Sequence, residues 1–156
     1  MRIKVTVAYD GSRFAGWQIQ PNADTIQARI EEALALIAKV PVRVHGSGRT
    51  DAGVHSIGQV AHFDAPAELT MNPVNWLAAL NTKLPATIRV LECDEVNPDF
   101  HARFSASSKT YTYELSTSPV LPPFQASRAW HLPRQLDPVT MEQALALIEG
   151  RHDIKA

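Results

Sequence analysis

The alternation of apolar and polar positions along the chain predicts a set of short β-strands. Residues 3–7 place isoleucine, valine and valine at every second position around lysine and threonine, and the pattern ends at turn-forming residues 9–12. A period of two is typical of a strand with one buried face. The same criterion predicts strands over 42–45, 59–63, 88–93 and 109–115, with a long glycine-rich loop, 46–58, between the second and the third.

Apolar residues at helical spacing predict three helices. The first covers 25–39, where Asp24 and Gln27 form a pair like a capping box and Pro41 ends the pattern. Asparagine followed by proline at 72–73 is a helix-start signal, as is aspartate followed by proline at 137–138. These signals predict a second helix from 73 to 80 and a third that stops at Gly150.

Strands and helices follow one another without the strict alternation and continuously apolar strands of a parallel α/β sheet. The pattern therefore favours the α+β class, with an antiparallel sheet and helices packed on one face. The length of 156 residues fits one domain. Because the chain ends within six residues of the last helix stop, at Gly150, we expect a truncated chain.

The composition of the chain indicates the class of protein and its cellular compartment. Hydrophobic residues make up 45% and charged residues 20% of the chain, as in ordinary globular proteins. No apolar run approaches the roughly 20 residues that span a bilayer, and the first ten residues lack the apolar block of a signal peptide, so we expect a cytoplasmic protein without membrane contact. Cys93 has no partner for a disulfide and is expected to be a buried apolar residue.

The formal net charge is −1, whereas proteins that hold nucleic acid by bulk electrostatics are strongly basic. Any nucleic-acid site in this chain must therefore be a local cleft. The six histidines form no metal-ligand spacing and no cysteine–histidine cluster, so the sequence predicts no metal site.

The loop Gly46–His55 is the segment with the clearest candidate chemistry. Its three glycines flank Arg49, Thr50 and Asp51, but it matches neither a phosphate-binding P-loop nor a dinucleotide fingerprint. Arg49 and Asp51 are two residues apart and project from the same side of an extended segment, where a guanidinium would keep the carboxylate ionised. An ionised carboxylate can act as a nucleophile. The alternative is structural, with Asp51 capping a turn and Arg49 at the surface.

The sequence of this loop, Gly-Ser-Gly-Arg-Thr-Asp-Ala-Gly-Val-His, resembles the active-site motif of the TruA family of tRNA pseudouridine synthases. In that family the motif aspartate is the catalytic nucleophile, and Asp51 occupies its place. Five further blocks resemble family blocks and follow in the family's order: Tyr9–Pro21, Leu80–Pro85, Phe100–Ala106, Lys109–Tyr113 and Gly150–Asp153.

The resemblance implies a ferredoxin-like catalytic domain of the pseudouridine synthase fold over residues 1–156, the N-terminal portion of a longer enzyme. It implies that the enzyme converts uridine to pseudouridine in the anticodon stem-loop of tRNA, without metal or cofactor, and forms a homodimer when complete. Asp51 is then the catalytic carboxylate and Arg49 its partner. Tyr111 matches the family's active-site tyrosine and is expected to stack on the target uracil.

Other side chains are candidates for contact with RNA. Arg13 is expected to contact a phosphate, and His101 and Arg103 are expected to face the RNA backbone. The alternative for His101 and Arg103 is a solvated strand edge. Phe14 and Trp17 are expected to pack in the core rather than to stack on bases. The expected alternation of residues 109–115 also places Tyr113 in the core.

Two other classes of function remain open at this point. One is a non-catalytic RNA-binding module whose sheet displays Tyr111 and Tyr113 for stacking, as in RNA-recognition domains. The other is a nucleoside glycosidase, which is disfavoured because no second carboxylate accompanies Asp51 in the motif.

Overall fold

The computed structural model describes residues 1–152, so Asp153 and the last residues of the expected 1–156 domain lie outside it. The chain divides into two compact units, Met1–Thr110 and a second that begins at Tyr111. Among the described residues, no helix combines the length and the apolar character needed to cross a membrane.

The first unit is built on a four-stranded antiparallel sheet. Its strands are β1 (Arg2–Tyr9), β2 (Val44–Gly46), β3 (Ser56–Asp64) and β4 (Ile88–Val96). They lie in the order β2-β3-β1-β4, so the first strand of the chain is flanked by the third and the fourth. The period-two pattern thus predicted all four strands, with β3 and β4 extending three residues beyond the predicted limits at one end.

Two helices connect these strands. Helix α1 (Ile26–Ala38) lies between β1 and β2, and helix α2 (Pro73–Lys83) lies between β3 and β4. The chain order β-α-β-β-α-β with this strand order is the ferredoxin-like arrangement, and it confirms the predicted α+β class.

The start of α1 differs from the capping pair predicted at Asp24 and Gln27. Thr25 is the N-cap, and its side chain accepts a hydrogen bond from the Ala28 N–H. Asp24 instead forms a salt bridge with Arg29, with 2.8 Å between the charged atoms. The start of α2 is as predicted, because the Asn72 side chain accepts from the Asn75 N–H and Pro73 occupies the first turn.

The helices cover one face of the sheet. Every second residue of β1 from Ile3 to Tyr9 is buried, and these side chains join the apolar faces of both helices in one core. The residues of β1 between these buried positions lie on the opposite face and are mostly polar, as expected for a sheet covered on one side. Cys93 is half-buried against this core, and burial raises the pKa of its thiol to about 11. The core side chains contributed by the helices are Ile26, Ile30, Ala33, Leu34, Trp76 and Leu80.

The second unit contains two short strands, β5 (Glu114–Ser116) and β6 (Ala129–His131), paired in parallel, and helix α3 (Pro138–Ala146). The strand predicted over 109–115 is wrong for residues 109–113, which belong to no strand. The prediction that Tyr113 is a core residue is also wrong, since 86% of it is exposed. Alternation alone does not make a strand, because the backbone N–H and C=O groups need a neighbouring strand, and none pairs with 109–113 in the described chain.

Candidate active site

The 46–55 loop and the segment that follows β1 meet at one end of the sheet. The loop joins β2 to β3, and Tyr9, the last residue of β1, lies opposite Ser56, the first residue of β3. Because the strands are antiparallel, the segment leaving β1 and the loop entering β3 emerge side by side. We call residues 10–17 the supporting segment.

Backbone hydrogen bonds fix the loop to this supporting segment. The Trp17 N–H donates to the carbonyl oxygen of Thr50 at 3.0 Å, and the Gly53 N–H donates to the carbonyl oxygen of Phe14 at 3.2 Å. The hydroxyl groups of Tyr9 and Thr50 are 2.9 Å apart and share a hydrogen bond. The residues on both sides of Asp51 are therefore anchored.

The supporting segment approaches the loop so closely that two of its positions require glycine. A β-carbon on Gly16 would lie within 3.0 Å of the carbonyl oxygen of Thr50, and one on Gly11 would collide in the same way with the carbonyl oxygen of Val54. Gly16 also has φ of +91°, which L side chains rarely adopt. On the loop itself, Gly46 lies against the ring of Trp17.

Phe14 and Trp17 are buried, with 8% and 2% of their surface exposed, as the packing interpretation predicted. Tyr9 is 4% exposed, and its ring centroid lies 6.1 Å from that of Trp17. These aromatic residues therefore form the base on which the loop rests. Sequence reasoning identified the Tyr9–Pro21 block but not this supporting role.

Asp51 and Arg49 are both exposed on the anchored loop. The backbone carbonyl of Asp51 accepts a hydrogen bond from the Val54 N–H at 3.2 Å, so the turn is closed by backbone and not by the carboxylate. Within residues 1–152, neither side chain has an ion-pair or hydrogen-bonding partner, and the expected Arg49–Asp51 pair is not formed. The carboxylate is thus open to a ligand from solvent.

One further cation lies against the loop, and another lies on the supporting segment. Lys109 crosses Gly48 so closely that a β-carbon on the glycine would be 2.8 Å from its Nζ, a proximity that sequence reasoning missed. Arg13 is exposed at the end of the short 3-10 turn Gly11–Arg13 in the supporting segment. No acidic side chain in the described part of the chain pairs with either cation. Arg49 and Lys109 therefore place positive charge on or against the loop although the whole chain is close to neutral.

His101 and Arg103 lie in a different cluster, on the sheet face opposite the helices. The ring centroid of His101 is 4.7 Å from that of His62 and 5.6 Å from that of His45. The Arg103 guanidinium lies 6.0 Å from the centroid of the Phe104 ring. No hydrogen bond or ring contact links this cluster to the 46–55 loop among the described residues, and an RNA contact by His101 or Arg103 stays a prediction.

Tyr111 belongs to the second unit and is 65% exposed. This exposure is what stacking on a base would require, and the predicted role of Tyr111 also stays a prediction. The described residues contain no group of three or more histidine, cysteine or acidic side chains arranged to hold a metal ion.

His62 is a buried histidine held in its neutral form. It is 2% exposed, and its Nδ1 accepts a hydrogen bond from the Ala102 N–H at 3.1 Å. Burial, reinforced by the neighbouring charges of His101 and His45, lowers its pKa from 6.5 to about 4. Arg2 adds to this effect and Asp64 opposes it.

We expect the stability of the fold to fall as the pH drops from about 6.5 to about 4. In this range an unfolded His62 binds a proton that the folded one excludes, which costs at most about 3 kcal/mol and leaves stability above pH 6.5 unaffected. Urea unfolding at a series of pH values measures the slope of the unfolding free energy against pH. His62→Asn keeps an acceptor near Nδ1 but does not titrate, so its slope should be shallower. Parallel slopes would contradict the assignment to His62.

Two comparisons of the sequence with known proteins identify the family of this chain. The sequence model of a family described as tRNA pseudouridine synthase matches residues 5–105, which lie within the first unit and contain the whole loop, so the chain belongs to this family. The resemblance drawn from the motifs is thereby confirmed.

Individual relatives give the same result. The chain is 50% identical over 155 residues to tRNA pseudouridine synthase A of Akkermansia muciniphila, covering 99% of this chain and 58% of that protein. It is 48% identical over 153 residues to the protein of the same name in Methylacidiphilum infernorum, covering 98% of this chain and 59% of that protein. The chain therefore spans about three-fifths of the length of these curated relatives.

Proposed function

We propose that this chain carries the catalytic carboxylate of an enzyme that isomerises uridine to pseudouridine in the anticodon stem-loop of tRNA, with Asp51 as the nucleophile. The observation that carries the proposal is the position of Asp51, exposed on a loop that is anchored on both sides of it. Family membership and the names of the relatives support the choice of reaction.

The reaction detaches uracil by breaking the bond between C1′ and N1, turns the base in place, and joins C1′ to C5. C5 then loses its proton and N1 gains one, so the product is an isomer of the substrate. The Asp51 carboxylate can form an ester at C1′ and be displaced when C5 attacks, or it can act as a base in a route through a glycal. A single carboxylate is sufficient in both routes because the base does not leave the pocket.

The target base is stacked in the RNA and must be turned out of the stack to reach Asp51. Arg49, Arg13 and Lys109 are proposed to contact phosphates near the flipped nucleotide, and the exposure of both arginines and the position of Lys109 against Gly48 support this role. Tyr111 is proposed to stack on the uracil, and its exposure supports that role. His101 and Arg103 are proposed to contact the RNA backbone farther from the loop.

The complete enzyme is proposed to be a cytoplasmic homodimer that needs neither metal nor cofactor. The resemblance of the motifs to those of the TruA family supports this part of the proposal, and the chemistry supports it too, since no step requires a Lewis acid or a redox partner.

The test is to incubate protein expressed from the complete reading frame with unmodified tRNA and with an isolated anticodon stem-loop, and then to map pseudouridine by chemical derivatisation and primer extension. We expect pseudouridine within the anticodon stem-loop. Tight binding without product would support an RNA-binding module instead, and release of free uracil would support a glycosidase. Pseudouridine at another part of the tRNA would contradict the proposed target.

A further inference from the structure

We propose that Tyr9 and Thr50 form a positioning pair that places the Asp51 carboxylate for reaction. The hydroxyl groups of these two residues are 2.9 Å apart, and Thr50 directly precedes Asp51 in the chain. This inference rests on the proposed function, because it assumes that Asp51 reacts. In this inference Tyr9 and Thr50 act by positioning Asp51, and they do not contact the RNA themselves.

Tyr9 is suited to hold the loop because it is buried at the end of a central strand of the sheet. It ends β1, which is hydrogen-bonded to strands on both sides, and only 4% of it is exposed. A buried phenol hydroxyl must form a hydrogen bond to avoid a large desolvation cost. The bond to Thr50 meets this requirement and ties the loop to the centre of the sheet.

Thr50 is held at two separate points. Its side chain bonds to Tyr9, and its carbonyl oxygen accepts from the Trp17 N–H at 3.0 Å. That carbonyl belongs to the peptide that links Thr50 to Asp51, so the two bonds fix both the place and the rotation of the peptide plane. Gly16 packs so closely against the same carbonyl that a β-carbon at this position would collide with it.

Asp51 depends on this anchoring because its own side chain has no hydrogen-bonding partner within the described residues. Its position relative to a bound nucleotide is therefore set by the backbone. A displacement of about 1 Å at a reacting group can lower the rate about 100-fold while leaving binding intact. Loss of the Tyr9–Thr50 bond should consequently reduce kcat and leave KM for tRNA nearly unchanged.

The test compares Tyr9→Phe, Thr50→Val and the double variant, in protein expressed from the complete reading frame and assayed well below the melting temperature of every variant. Each single change removes one hydroxyl with little change of shape. We expect kcat to fall about 10- to 100-fold in each and KM for tRNA to stay within about twofold. Since both changes break the same bond, the double variant should be no slower than the slower single variant.

Thr50→Ser is the matched control, because it keeps the hydroxyl and should retain kcat within about threefold. Wild-type kcat in both single variants, losses that multiply in the double variant, or a loss carried by KM would overturn the inference. Asp51→Asn, measured in parallel, separates the two proposals. If that variant is inactive while Tyr9→Phe is fully active, only the positioning role fails. If Asp51→Asn turns over normally, the nucleophile and the positioning pair fail together.

Discussion

Asp51→Asn is expected to lower the rate of pseudouridine formation by at least about 1,000-fold, since removal of a nucleophile abolishes the covalent route and leaves only residual catalysis. The amide has the same shape as the carboxylate but supplies no charged oxygen to attack C1′ or to take a proton. Because Asp51 is exposed and its side chain makes no bond to the rest of the described chain, the fold should not change. Single-turnover assays with excess enzyme measure the chemical step directly.

Binding provides the second readout of the same variant. Filter binding or fluorescence anisotropy should give a Kd for tRNA within about threefold of wild type, because the cations around the loop are unchanged. Asp94→Asn is the matched control: it removes a carboxylate from an exposed surface salt bridge with Lys4, and both rate and affinity should be retained. A turnover within tenfold of wild type for Asp51→Asn would exclude Asp51 as nucleophile, and a loss of affinity equal to the loss of rate would assign it to binding.

In the first unit, the elements predicted correctly are those whose signal lies within the element itself. Strand β1 follows from its alternation, and α2 follows from asparagine and proline at its start. The cap of α1 could not be assigned in the same way, because Asp24 and Thr25 are both good capping residues. The choice depends on Arg29, one turn into the helix, which pairs with Asp24 and leaves Thr25 as the cap.

Errors in the second unit have a different origin. The alternation of residues 109–113 is genuine, but a strand also needs a partner, and pairing between distant segments is not encoded in either segment alone. Strand β6 (Ala129–His131) was not predicted because three residues after a proline-rich connection give no periodic signal. Its parallel pairing with β5 appears only in three dimensions.

The candidate site was proposed from sequence by its motif, but the contacts that set its geometry join segments far apart in the chain. The spacing of Arg49 and Asp51 fixes which side they project from and does not make them an ion pair. Tyr9 and Gly16 support the loop from about 35 to 40 residues away in the chain, and Lys109 reaches Gly48 from about 60 residues away. Such proximities depend on the strand order β2-β3-β1-β4, which no local pattern specifies.

The close approach of the supporting segment to the loop predicts that Gly16→Ala will be the most damaging of four glycine-to-alanine changes. At Gly16 a methyl group would collide with the carbonyl oxygen of Thr50, and the backbone has φ of +91°. Overpacking against backbone costs about 1 to 3 kcal/mol, and an alanine at positive φ costs about 1 kcal/mol more. We expect a total loss of about 2 to 4 kcal/mol, seen as a fall of roughly 10 °C in Tm.

The other three glycines distinguish the effect of the backbone collision from the effect of the positive φ. Gly11 would collide with backbone without a positive φ, and Gly53 has φ of +81° with no atom within 4 Å of the added carbon. Gly58 has neither problem, since its nearest neighbour is a threonine methyl at 3.7 Å. Gly11→Ala should therefore lose most of the stability that Gly16→Ala loses, Gly53→Ala about 1 kcal/mol, and Gly58→Ala within about 0.5 kcal/mol of wild type.

Measuring kcat of the same glycine variants tests whether the supporting segment also affects Asp51. Gly16→Ala pushes on the carbonyl that orients Asp51, so its kcat should fall even at temperatures where the variant is fully folded, whereas Gly58→Ala should keep wild-type kcat. Gly11→Ala is destabilised through Val54, beyond the turn, and should lose less kcat than Gly16→Ala for a comparable loss of stability. Equal stability of Gly16→Ala and Gly58→Ala would contradict the close contact. Wild-type kcat in a folded Gly16→Ala variant would show that the place of Asp51 does not depend on the supporting segment.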